Sequence, residues 1–560
     1  MNSIVLMIVG LAAMSAGYLF YSKYIGQRIY RLDASFRTPA HEFNDGVDYV
    51  PTNKFVLWGH HFTSVAGAAP IVGPAIAVIW GWGPAFLWVT LGTIFFAGVH
   101  DFGALWASAR NKGKSIGILA GSVIGARGRN LFLVVIFLLL LMVNAAFAVV
   151  ISNLLVSTPT SVIPTWGAIL VALVIGQLFY RFKVGLLWPS VVGVIVLYAL
   201  IIVGNSYPVV LPESILGLSP RSFWILLLFT YAGIASLLPV WVLLQPRDYI
   251  NGLQLFVGLG LLYVAVLIAS PDVVAPAFND AVPEGTPSLV PLLFVTIACG
   301  AISGFHGLVA SGTTSKQLDK ETDARFVGYF GAVGEGMLSL ATIICCTAGF
   351  ATLVDWQAVY TQFGGGGVNA FVAGGDAILV AGLGLPADLG ATILATMAIL
   401  FAATTMDTGL RLQRYVVQEA GELAGWKING VVGTLIALGI CLALAFGVGE
   451  GGTGGMIIWP LFGTTNQLLA GLTLSIIAVI LIKLRRPVWM VVIPLAFLLT
   501  MSIIALVVQL GEFYRQENWL LLVMDVVILV AALWVALEAA IAMRRSRRAD
   551  AAPFKDETYG

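Results

Sequence analysis

The stretch Trp58–Trp82, WGHHFTSVAGAAPIVGPAIAVIWGW, decides the fold. It is long and apolar enough to cross a bilayer, yet Pro70 and Pro74 fall inside it with glycines beside them. Proline removes a backbone donor and clashes with the preceding turn, so the helix is expected to kink or unwind near Pro70. Backbone groups freed at membrane depth are tolerated where they face protein or a water-filled cavity, which is typical of a discontinuous helix in a transport site. The alternative is a kinked helix without a ligand, because proline is frequent in membrane helices.

The composition places the whole chain in a membrane. Of its 560 residues, 59% are hydrophobic and 10% are charged, whereas soluble proteins have about 25% charged residues. A net charge of +1 without basic tracts outside the span ends gives no indication of a nucleic-acid partner. The sequence GKS at 113–115 resembles the end of a phosphate-binding loop, but Ser108 replaces the glycine that such a loop needs. A nucleotide-driven pump is therefore not expected.

Apolar runs of spanning length predict an all-α polytopic membrane protein with about 15 transmembrane helices. With the N-terminus outside and the C-terminus cytoplasmic, all of the 29 Lys and Arg except Arg221 and Arg515 fall on the inner side. The positive-inside rule requires such a bias, which supports this topology. The predicted spans are 4–22, 55–80, 84–107, 131–155, 165–179, 186–203, 221–243, 251–270, 289–312, 326–352, 386–405, 430–448, 454–482, 488–510 and 519–542.

A second interrupted span is expected in the seventh run, 221–243, where Gly233 and Pro239 break the apolar pattern. It follows the first interrupted span after five spans, and an odd offset reverses the orientation in the membrane. Two interrupted spans at matching positions of two inverted halves indicate a substrate site. The spacing therefore predicts a core of five-plus-five inverted repeats. The expected divisions are a first span and loop (1–54), repeat one (55–210), repeat two (211–425), accessory spans (426–543) and a cytoplasmic tail (544–560).

Ionisable side chains at membrane depth are expected to carry the coupling chemistry. Such groups are costly inside a bilayer and usually mark substrate or proton pathways. Histidine changes its protonation near neutral pH and therefore suits proton coupling. A hydrogen-bonded structural role is the alternative for each histidine, and pairing with a basic group is the alternative for Glu335. The predicted proton-coupling residues are His60, His61, Asp101 and Glu335.

No cofactor is expected, with H⁺ as the coupling ion and Na⁺ as the alternative. A metal site built from His60, His61, Asp101 and His306 has the right ligand types for a transition metal. Its spacing matches no metal-binding motif, so it is only a weak candidate. The four cysteines all fall inside apolar runs and are expected to be free buried residues.

Other polar positions complete the predicted pocket. Thr464–Gln467 interrupt span thirteen, where they either hold helices together or bind substrate or cation. Asp407 and Arg411 are four residues apart at a helix end, where an ion pair between them is expected. The predicted substrate-binding residues are His60, His61, Ser64, Gly67, Asn144, Tyr231, Ser236, Trp241, His306, Asn466 and Gln467.

Five motifs carry a resemblance to a known family: WGHHFTSVAGAAPIVGPAIA, VHDFGALWASARNKGKSIG, SGTTSKQL, TTMDTGLRLQRY and WPLFGTTNQLLAG. Together they resemble the carbon starvation protein A family of bacterial inner-membrane carriers, in the family's order and over residues 30–485. The family's GHH, SGTT and FGTTNQ-type motifs correspond to Gly59–His61, Ser311–Thr314 and Phe462–Gln467. Leu410 departs from the family's hydroxyl residue between the aspartate and the arginine, which puts a role for that hydroxyl in doubt.

The resemblance implies a proton-coupled secondary transporter for peptides or pyruvate, with the LeuT-like core of the amino acid–polyamine–organocation superfamily. In the expected alternating-access mechanism, the amino ends of the half-helices point amide dipoles at a substrate carboxylate. A membrane-embedded nutrient sensor and a sodium-coupled carrier of another small carboxylate are the alternatives. No output domain or catalytic constellation favours a sensor or an enzyme, and the tail 544–560 leaves room only for docking a small regulatory partner.

Overall fold

The computed structural model describes residues 1–386, 388–447 and 458–547, and in them the chain is helical apart from isolated β-bridges. This confirms the predicted all-α class. The main helices are α1 (Ser3–Tyr30), α2 (Lys54–Ala66), α3 (Ala69–Trp80), α4 (Trp82–Ala109), α5 (Ile116–Ile124), α6 (Ala126–Ser157), α7 (Pro159–Phe179), α8 (Leu187–Ser206), α9 (Pro220–Leu237), α10 (Leu244–Ala269), α11 (Leu289–Thr296), α12 (Ala298–Ala301), α13 (Gly304–Gly312), α14 (Glu321–Ala348), α15 (Leu353–Val359), α16 (Gly367–Leu383), α17 (Leu389–Leu423), α18 (Gly430–Gly447), α19 (Trp459–Lys483), α20 (Trp489–Arg515) and α21 (Trp519–Ser546).

Thirteen helices in the described ranges are long and apolar enough to cross a membrane, and the bent pair α2–α3 makes fourteen. Each of these coincides with a predicted span, including the short fifth run, which forms the 21-residue helix α7. The predicted ninth span, 289–312, corresponds to the three short helices α11, α12 and α13. The count of fifteen spans and their orientation therefore stay predictions. Residues 454–457 of the thirteenth predicted span and 548–560 of the tail lie outside the described residues.

The first predicted break is confirmed. Helix α2 ends at Ala66, α3 begins at Ala69, and the two helices are bent by 43°. Gly67 between them has φ +54° and ψ −156°, a conformation that side chains larger than hydrogen rarely adopt. Pro70 lies in the first turn of α3, where its missing N–H costs no helical hydrogen bond. The break therefore comes from glycine before the proline and not from the proline inside the helix.

The second break lies elsewhere than predicted. The prediction of a break inside the seventh span is wrong. Helix α9 is continuous through Gly233 and ends at Leu237, before Pro239. Pro239 lies in the turn that joins α9 to the separate membrane-length helix α10. The chain instead unwinds in the ninth predicted span, where Ile302 and Ser303 are extended, with φ −168° and −142°. This span is also an odd number of spans after α2–α3, so the reversed orientation expected for an inverted repeat is kept.

The two broken helices touch each other through backbone. A Cβ built on Gly73 of α3 would lie 2.5 Å from the carbonyl oxygen of Thr296, at the end of α11. Only glycine allows so close an approach between the two broken spans. Around them, α6, α9, α17 and α18 each contact the other three and form a four-helix scaffold. Both breaks are therefore held in the interior, beside long helices.

The boundaries of the predicted divisions, at 54, 210, 425 and 543, remain predictions. In chain order, the hairpin of α7 and α8 lies between α6 and α9. It has no counterpart between α17 and α18, so an inserted hairpin accounts for the longer offset between the breaks.

Candidate functional site

A buried group that we call the histidine cluster, comprising His100, Asp101, His306 and Glu335, lies beside the second break. Nδ1 of His100 is 2.8 Å from Oδ1 of Asp101, and Nδ1 of His306 is 2.8 Å from Oδ2 of the same carboxylate. Nε2 of His306 lies 3.2 Å from Oε2 of Glu335. The side chains are buried from solvent, so each charge must be balanced inside the cluster.

The geometry fixes where protons sit in the histidine cluster. A carboxylate only accepts hydrogen bonds, so both histidines carry a hydrogen on Nδ1 facing Asp101. Nε2 of His306 faces Glu335 at ion-pair distance without a well-aligned hydrogen bond, so the charge is balanced either by a charged imidazole or by a protonated carboxyl. Oε1 of Glu335 has no hydrogen-bond partner among the described residues. The cluster can therefore gain or lose a proton while all of its side chains keep their places.

Asn466 holds the second break open at this point. Its Oδ1 accepts hydrogen bonds from the backbone N–H of Phe305, at 2.9 Å, and from the hydroxyl of Ser303, at 3.1 Å. Its Nδ2 lies 2.9 Å from Sγ of Cys299, on the other side of the break. The first amides of a helix have no intrahelical partner, and Asn466 supplies one from α19. His306 directly follows Phe305, so Asn466 also positions the histidine cluster.

A second buried group, the arginine cluster, comprises His60, Ser64, Tyr231, Arg247, Asp248 and Asp407. The guanidinium of Arg247 donates from Nε, at 3.0 Å, and from Nη2, at 2.7 Å, to Oδ1 of Asp248. Its Nη1 donates to the hydroxyl of Tyr231 at 2.7 Å and to Oδ2 of Asp407. The cluster joins α2, α9, α10 and α17 through one cation that is 2% exposed.

The two carboxylates of the arginine cluster are not equivalent. Asp248 is saturated: besides Arg247, its Oδ2 accepts from Nδ1 of His60 at 2.7 Å and from the hydroxyl of Ser64 at 3.1 Å. Asp407 contacts Arg247 through Oδ2 alone, and its Oδ1 is buried without a hydrogen-bond partner among the described residues. Asp248 is therefore a fixed anchor, whereas Asp407 is held by a single contact.

The paired histidines of the first stretch face two directions. His60 belongs to the arginine cluster, whereas Nδ1 of His61 lies 3.0 Å from Oγ1 of Thr314. The ring of His61 also packs against Gly331, one helical turn before Glu335. Successive residues of a helix point about 100° apart, so one short segment of α2 borders both clusters.

The first break lies directly beside the arginine cluster. Ser64 is three residues before Gly67 and donates to Asp248, while its hydroxyl also lies 3.1 Å from Oγ1 of Thr408. Its backbone carbonyl accepts a hydrogen bond of 2.9 Å from Thr405. Hydroxyl groups of α17 thus satisfy carbonyls that the end of α2 leaves free. Each cluster is consequently adjacent to one helix break.

Three further predicted residues, Asn144, Ser236 and Gln467, do not join either cluster through a hydrogen bond. Asn144 donates at 2.8 Å to Gln413 and thereby links α6 to α17. Ser236 donates to the carbonyl of Gly233, and Gln467 is buried with both amide atoms lacking a partner among the described residues. Trp241 lies half-buried in the turn between α9 and α10, near α7. Asn144 and Ser236 therefore act here as contacts within the helix packing.

The predicted ion pair between Asp407 and Arg411 is not formed. Asp407 pairs with Arg247, while Nη2 of Arg411 donates to the carbonyl oxygens of Ala235 and Leu238. Its Nη1 reaches Asp48 at 3.4 Å. The four-residue spacing was correct for contact along a helix, but tertiary partners compete with it. Arg411 instead ties the turn after α9 to α17.

The sequence interpretation missed Arg247 and Asp248. It began the eighth span at 251 and therefore treated Arg247 as a loop cation, whereas α10 begins at Leu244. The polar run QPRDYIN, residues 245–251, lies inside this helix and is buried. The available indication that the helix starts earlier was Pro246, because proline is well tolerated in the first turn of a helix.

The predicted metal residues do not converge. Throughout the described part of the chain, no three His, Cys, Asp or Glu side chains are arranged so that they could hold a metal ion. His60 and His306 belong to different clusters, and each uses Nδ1 to bind a carboxylate. The four predicted ligands therefore do not surround a common point among the described residues.

One end of the arginine cluster is closed by the segment before α2. Asp48 accepts from Arg411 and from the hydroxyl of Tyr415, the latter at 3.0 Å. The backbone N–H of Thr52 donates at 3.1 Å to the carbonyl of Gln317, just after α13. These contacts join the first half-helix to α17 and to the second broken span. The site is consequently sealed at the side that the charge distribution predicts to be cytoplasmic.

Comparison with protein families gives a match over most of the chain. A family model described as carbon starvation protein CstA matches residues 2–359 and 350–505. A peptide transporter of Campylobacter jejuni is 31% identical over 566 residues, which cover 90% of this chain and 79% of that protein. The pyruvate/proton symporter BtsT of Escherichia coli is 32% identical over 600 residues, covering 90% and 82%. A peptide transporter of Bacillus subtilis is 32% identical over 539 residues, covering 89% of each.

Comparison with solved structures supports the fold. A crystal structure of the Eremococcus coleocola manganese transporter superposes with a TM-score of 0.51 over 90% of this chain and 99% of that one. The identity is 13%, so this likeness concerns the arrangement of helices alone. The LeuT-like architecture with discontinuous helices is confirmed. Each of the proteins named here is a transporter, and none is described as an enzyme.

Proposed function

This chain belongs to the carbon starvation protein CstA family of membrane transporters, and we propose that it imports pyruvate or short peptides across the bacterial inner membrane. Relatives carrying each substrate in their names are about equally similar to it. Both substrates carry a free carboxylate. We take this group as the feature that the site recognises.

Protons are the coupling ion in this proposal. The observation that carries it is the placement of a titratable cluster beside each of the two helix breaks, where a transporter of this fold binds its cargo. The coupling residues predicted from the sequence divide between the clusters. His60 lies in the arginine cluster, Asp101 and Glu335 lie in the histidine cluster, and His61 borders both. The proton therefore has two candidate positions.

The proposal includes alternating access, and two sets of contacts that close the site support it. Asp48 bridges to Arg411 and Tyr415 on one side, while Tyr360, between α15 and α16, donates at 2.8 Å to the carbonyl of Ala75 in α3 on the other. The first contact involves the segment that leads into α2, and the second involves α3. Opening one seal with the other closed would expose the clusters to a single side of the membrane.

The test is uptake by proteoliposomes that contain the purified chain. Radiolabelled pyruvate and trialanine are supplied in parallel with an inward proton gradient and without sodium. Accumulation of at least one substrate, abolished by a protonophore, is the expected result. Accumulation that requires sodium would replace the coupling ion, and accumulation of neither substrate under any gradient would reject the transport proposal.

A further inference from the structure

The asymmetry between Asp248 and Asp407 shows where an external carboxylate fits. Arg247 presents a planar fork of donors that matches a carboxylate, and Asp248 occupies the Nε and Nη2 side of that fork. The Nη1 side carries only Asp407 and Tyr231. Tyr231 accepts from Arg247, so its own O–H remains to donate to a second acceptor. The O–H of Tyr231 lies beside the same nitrogen and Asp407 does not use it, so an external carboxylate bound to Nη1 has a second donor next to it.

We propose that the substrate carboxylate replaces Asp407 on Nη1 of Arg247, and that Asp407 takes up the coupling proton when it is displaced. This inference rests on the proposed function and specifies its site. On binding, the contact between Arg247 and Asp407 breaks, a contact between Arg247 and the substrate forms, and an O–H bond forms on Asp407. Release on the other side reverses all three changes. One proton thus crosses with each carboxylate.

The charge balance requires this proton. Arg247 carries one positive charge against the two carboxylates of Asp248 and Asp407, and all three side chains are at most 2% exposed. An added substrate anion would leave the buried site with a further uncompensated negative charge, which is very costly. A proton on Asp407 cancels it. The unpartnered Oδ1 of Asp407 offers a place for that proton with no hydrogen bond to break.

The charged and titratable groups linked to Asp407 come from three helices that pack against α17. Helix α10 supplies Arg247 and Asp248, α9 supplies Tyr231, and α2 supplies His60 through Asp248. On its own helix, Arg411 is directed to backbone carbonyls and to Asp48. Asp407 therefore has one cation in contact. When the substrate takes that cation, Asp407 can remain buried at low cost only if its carboxyl group is protonated.

The decisive measurement is the number of protons taken up when pyruvate binds. Titration calorimetry of the purified protein in buffers of different ionisation enthalpy gives this number directly. For the unaltered chain at neutral pH we expect about one proton per bound pyruvate, and an affinity that falls about tenfold per pH unit in the alkaline range. Binding without proton uptake would overturn the proposal, whatever any variant does.

Two amide substitutions of buried carboxylates separate the candidate positions of the proton. Asp407→Asn imitates the protonated state, so we expect pyruvate to bind with no proton uptake and without pH dependence. Glu335→Gln makes the same change in the histidine cluster, and there we expect proton uptake to remain near one. Asp525→Asn, at another buried carboxylate on α21, is the matched control. Proton uptake lost in Glu335→Gln and kept in Asp407→Asn would overturn the inference while the proposed function stood.

A second variant keeps the test sharp if Asp407→Asn fails to fold. Arg247→Lys retains the charge but not the fork, so we expect the KM for pyruvate to rise at least about tenfold with proton uptake still near one. An unchanged KM would overturn the role of Arg247.

Competition identifies the recognised group: trialanine should displace pyruvate, whereas trialanine with an amidated C-terminus should not. Equal displacement by both peptides would contradict carboxylate recognition.

Transport in liposomes supplies an independent readout. One anion moving with one proton carries no net charge, so pyruvate uptake by the unaltered protein should not respond to a potassium diffusion potential. Asp407→Asn should move the anion alone, respond to that potential and no longer accumulate pyruvate from a proton gradient. Electroneutral uptake that persists in Asp407→Asn would overturn the inference. Absence of any uptake by the unaltered protein would instead reject the proposed function.

Discussion

The arginine cluster and the histidine cluster each bury two carboxylates beside a helix break, but they balance the negative charge differently. Arg247 is a permanent cation, so the arginine cluster changes its charge only when a carboxylate is protonated or exchanged. The histidine cluster holds Asp101 between two imidazoles, side chains that exist in a neutral and a charged form. The arginine cluster is therefore suited to exchanging one carboxylate for another on Arg247, and the histidine cluster is suited to changing its protonation.

This difference separates a binding role from a holding role. The histidine cluster is tied through Asn466 to the unwound residues of the second break, and its carboxylate Asp101 uses both oxygens. The arginine cluster has one saturated carboxylate and one with a free buried oxygen. Removing a side chain from the arginine cluster should therefore leave an unpaired buried charge. In the histidine cluster, a change in the protonation of the remaining side chains can restore the charge balance.

The largest effect is expected for Arg247→Ala. It leaves Asp248 and Asp407 buried with no permanent cation in contact, and breaking a buried ion pair in this way costs about 3–5 kcal/mol. We expect a large fall in the free energy of unfolding, measured by denaturation of the purified protein in detergent. Adding Asp407→Asn to this variant should recover part of the loss, because one of the two bare charges is removed.

The matched control is Arg515→Ala, which removes an exposed arginine paired with Glu512 at 2.6 Å. Exposed ion pairs contribute at most about 1 kcal/mol, so this variant should unfold almost like the unaltered chain. Equal losses for the two arginine variants would show that burial of the Arg247 charge does not control stability, and would remove the contrast between the clusters.

A smaller effect is expected for His306→Ala. Asp101 keeps its hydrogen bond to His100, and Glu335 can take up a proton once its imidazole neighbour is gone. The remaining cost is the unmet acceptor on Asp101, about 1–3 kcal/mol. Denaturation of the purified variant in detergent measures this loss. A loss as large as that of Arg247→Ala would mean that the histidine cluster cannot neutralise itself.

Most of the helices could be predicted from the sequence because a bilayer imposes length and apolarity on each span. The first break was predictable for the same reason: glycine and proline fall inside a single apolar run. The second break was misplaced at Pro239, since a proline in a tight turn and a proline in a kinked helix look alike in a sequence. The unwound residues Ile302 and Ser303 are flanked by Gly300 and Gly304, but glycines are frequent throughout this chain, and a tertiary partner, Asn466, stabilises the break.

The candidate site was only partly predictable. Histidines and carboxylates at membrane depth identified members of both clusters, because such residues are costly without a function. Which atoms meet depends on how distant helices pack: Arg247 and Asp407 are 160 residues apart in the chain. Asp407 and Arg411 satisfied a local rule, yet each has a stronger tertiary partner. Local spacing therefore predicts neighbours along one helix and not the pairs that form between helices.

A moderate effect with a different signature is expected for Asn466→Ala. It leaves the buried N–H of Phe305 and the hydroxyl of Ser303 without an acceptor, at a cost of about 1–3 kcal/mol. Amide hydrogen exchange should rise around 302–306 in the alanine variant. Unchanged exchange there would contradict the role of Asn466 at the break.

The smallest effect is expected for Ser64→Ala, and it tests the saturation of Asp248. The hydroxyl of Ser64 is one of several donors on that carboxylate, which keeps Arg247 and His60 when it is lost. The cost should be about 0.5–1.5 kcal/mol, measured by denaturation, with proton uptake on pyruvate binding unchanged. A change in proton uptake would show that Asp248 exchanges protons as Asp407 is proposed to do. The saturated carboxylate would then be a participant in coupling, and the distinction between anchor and exchanging partner would fail.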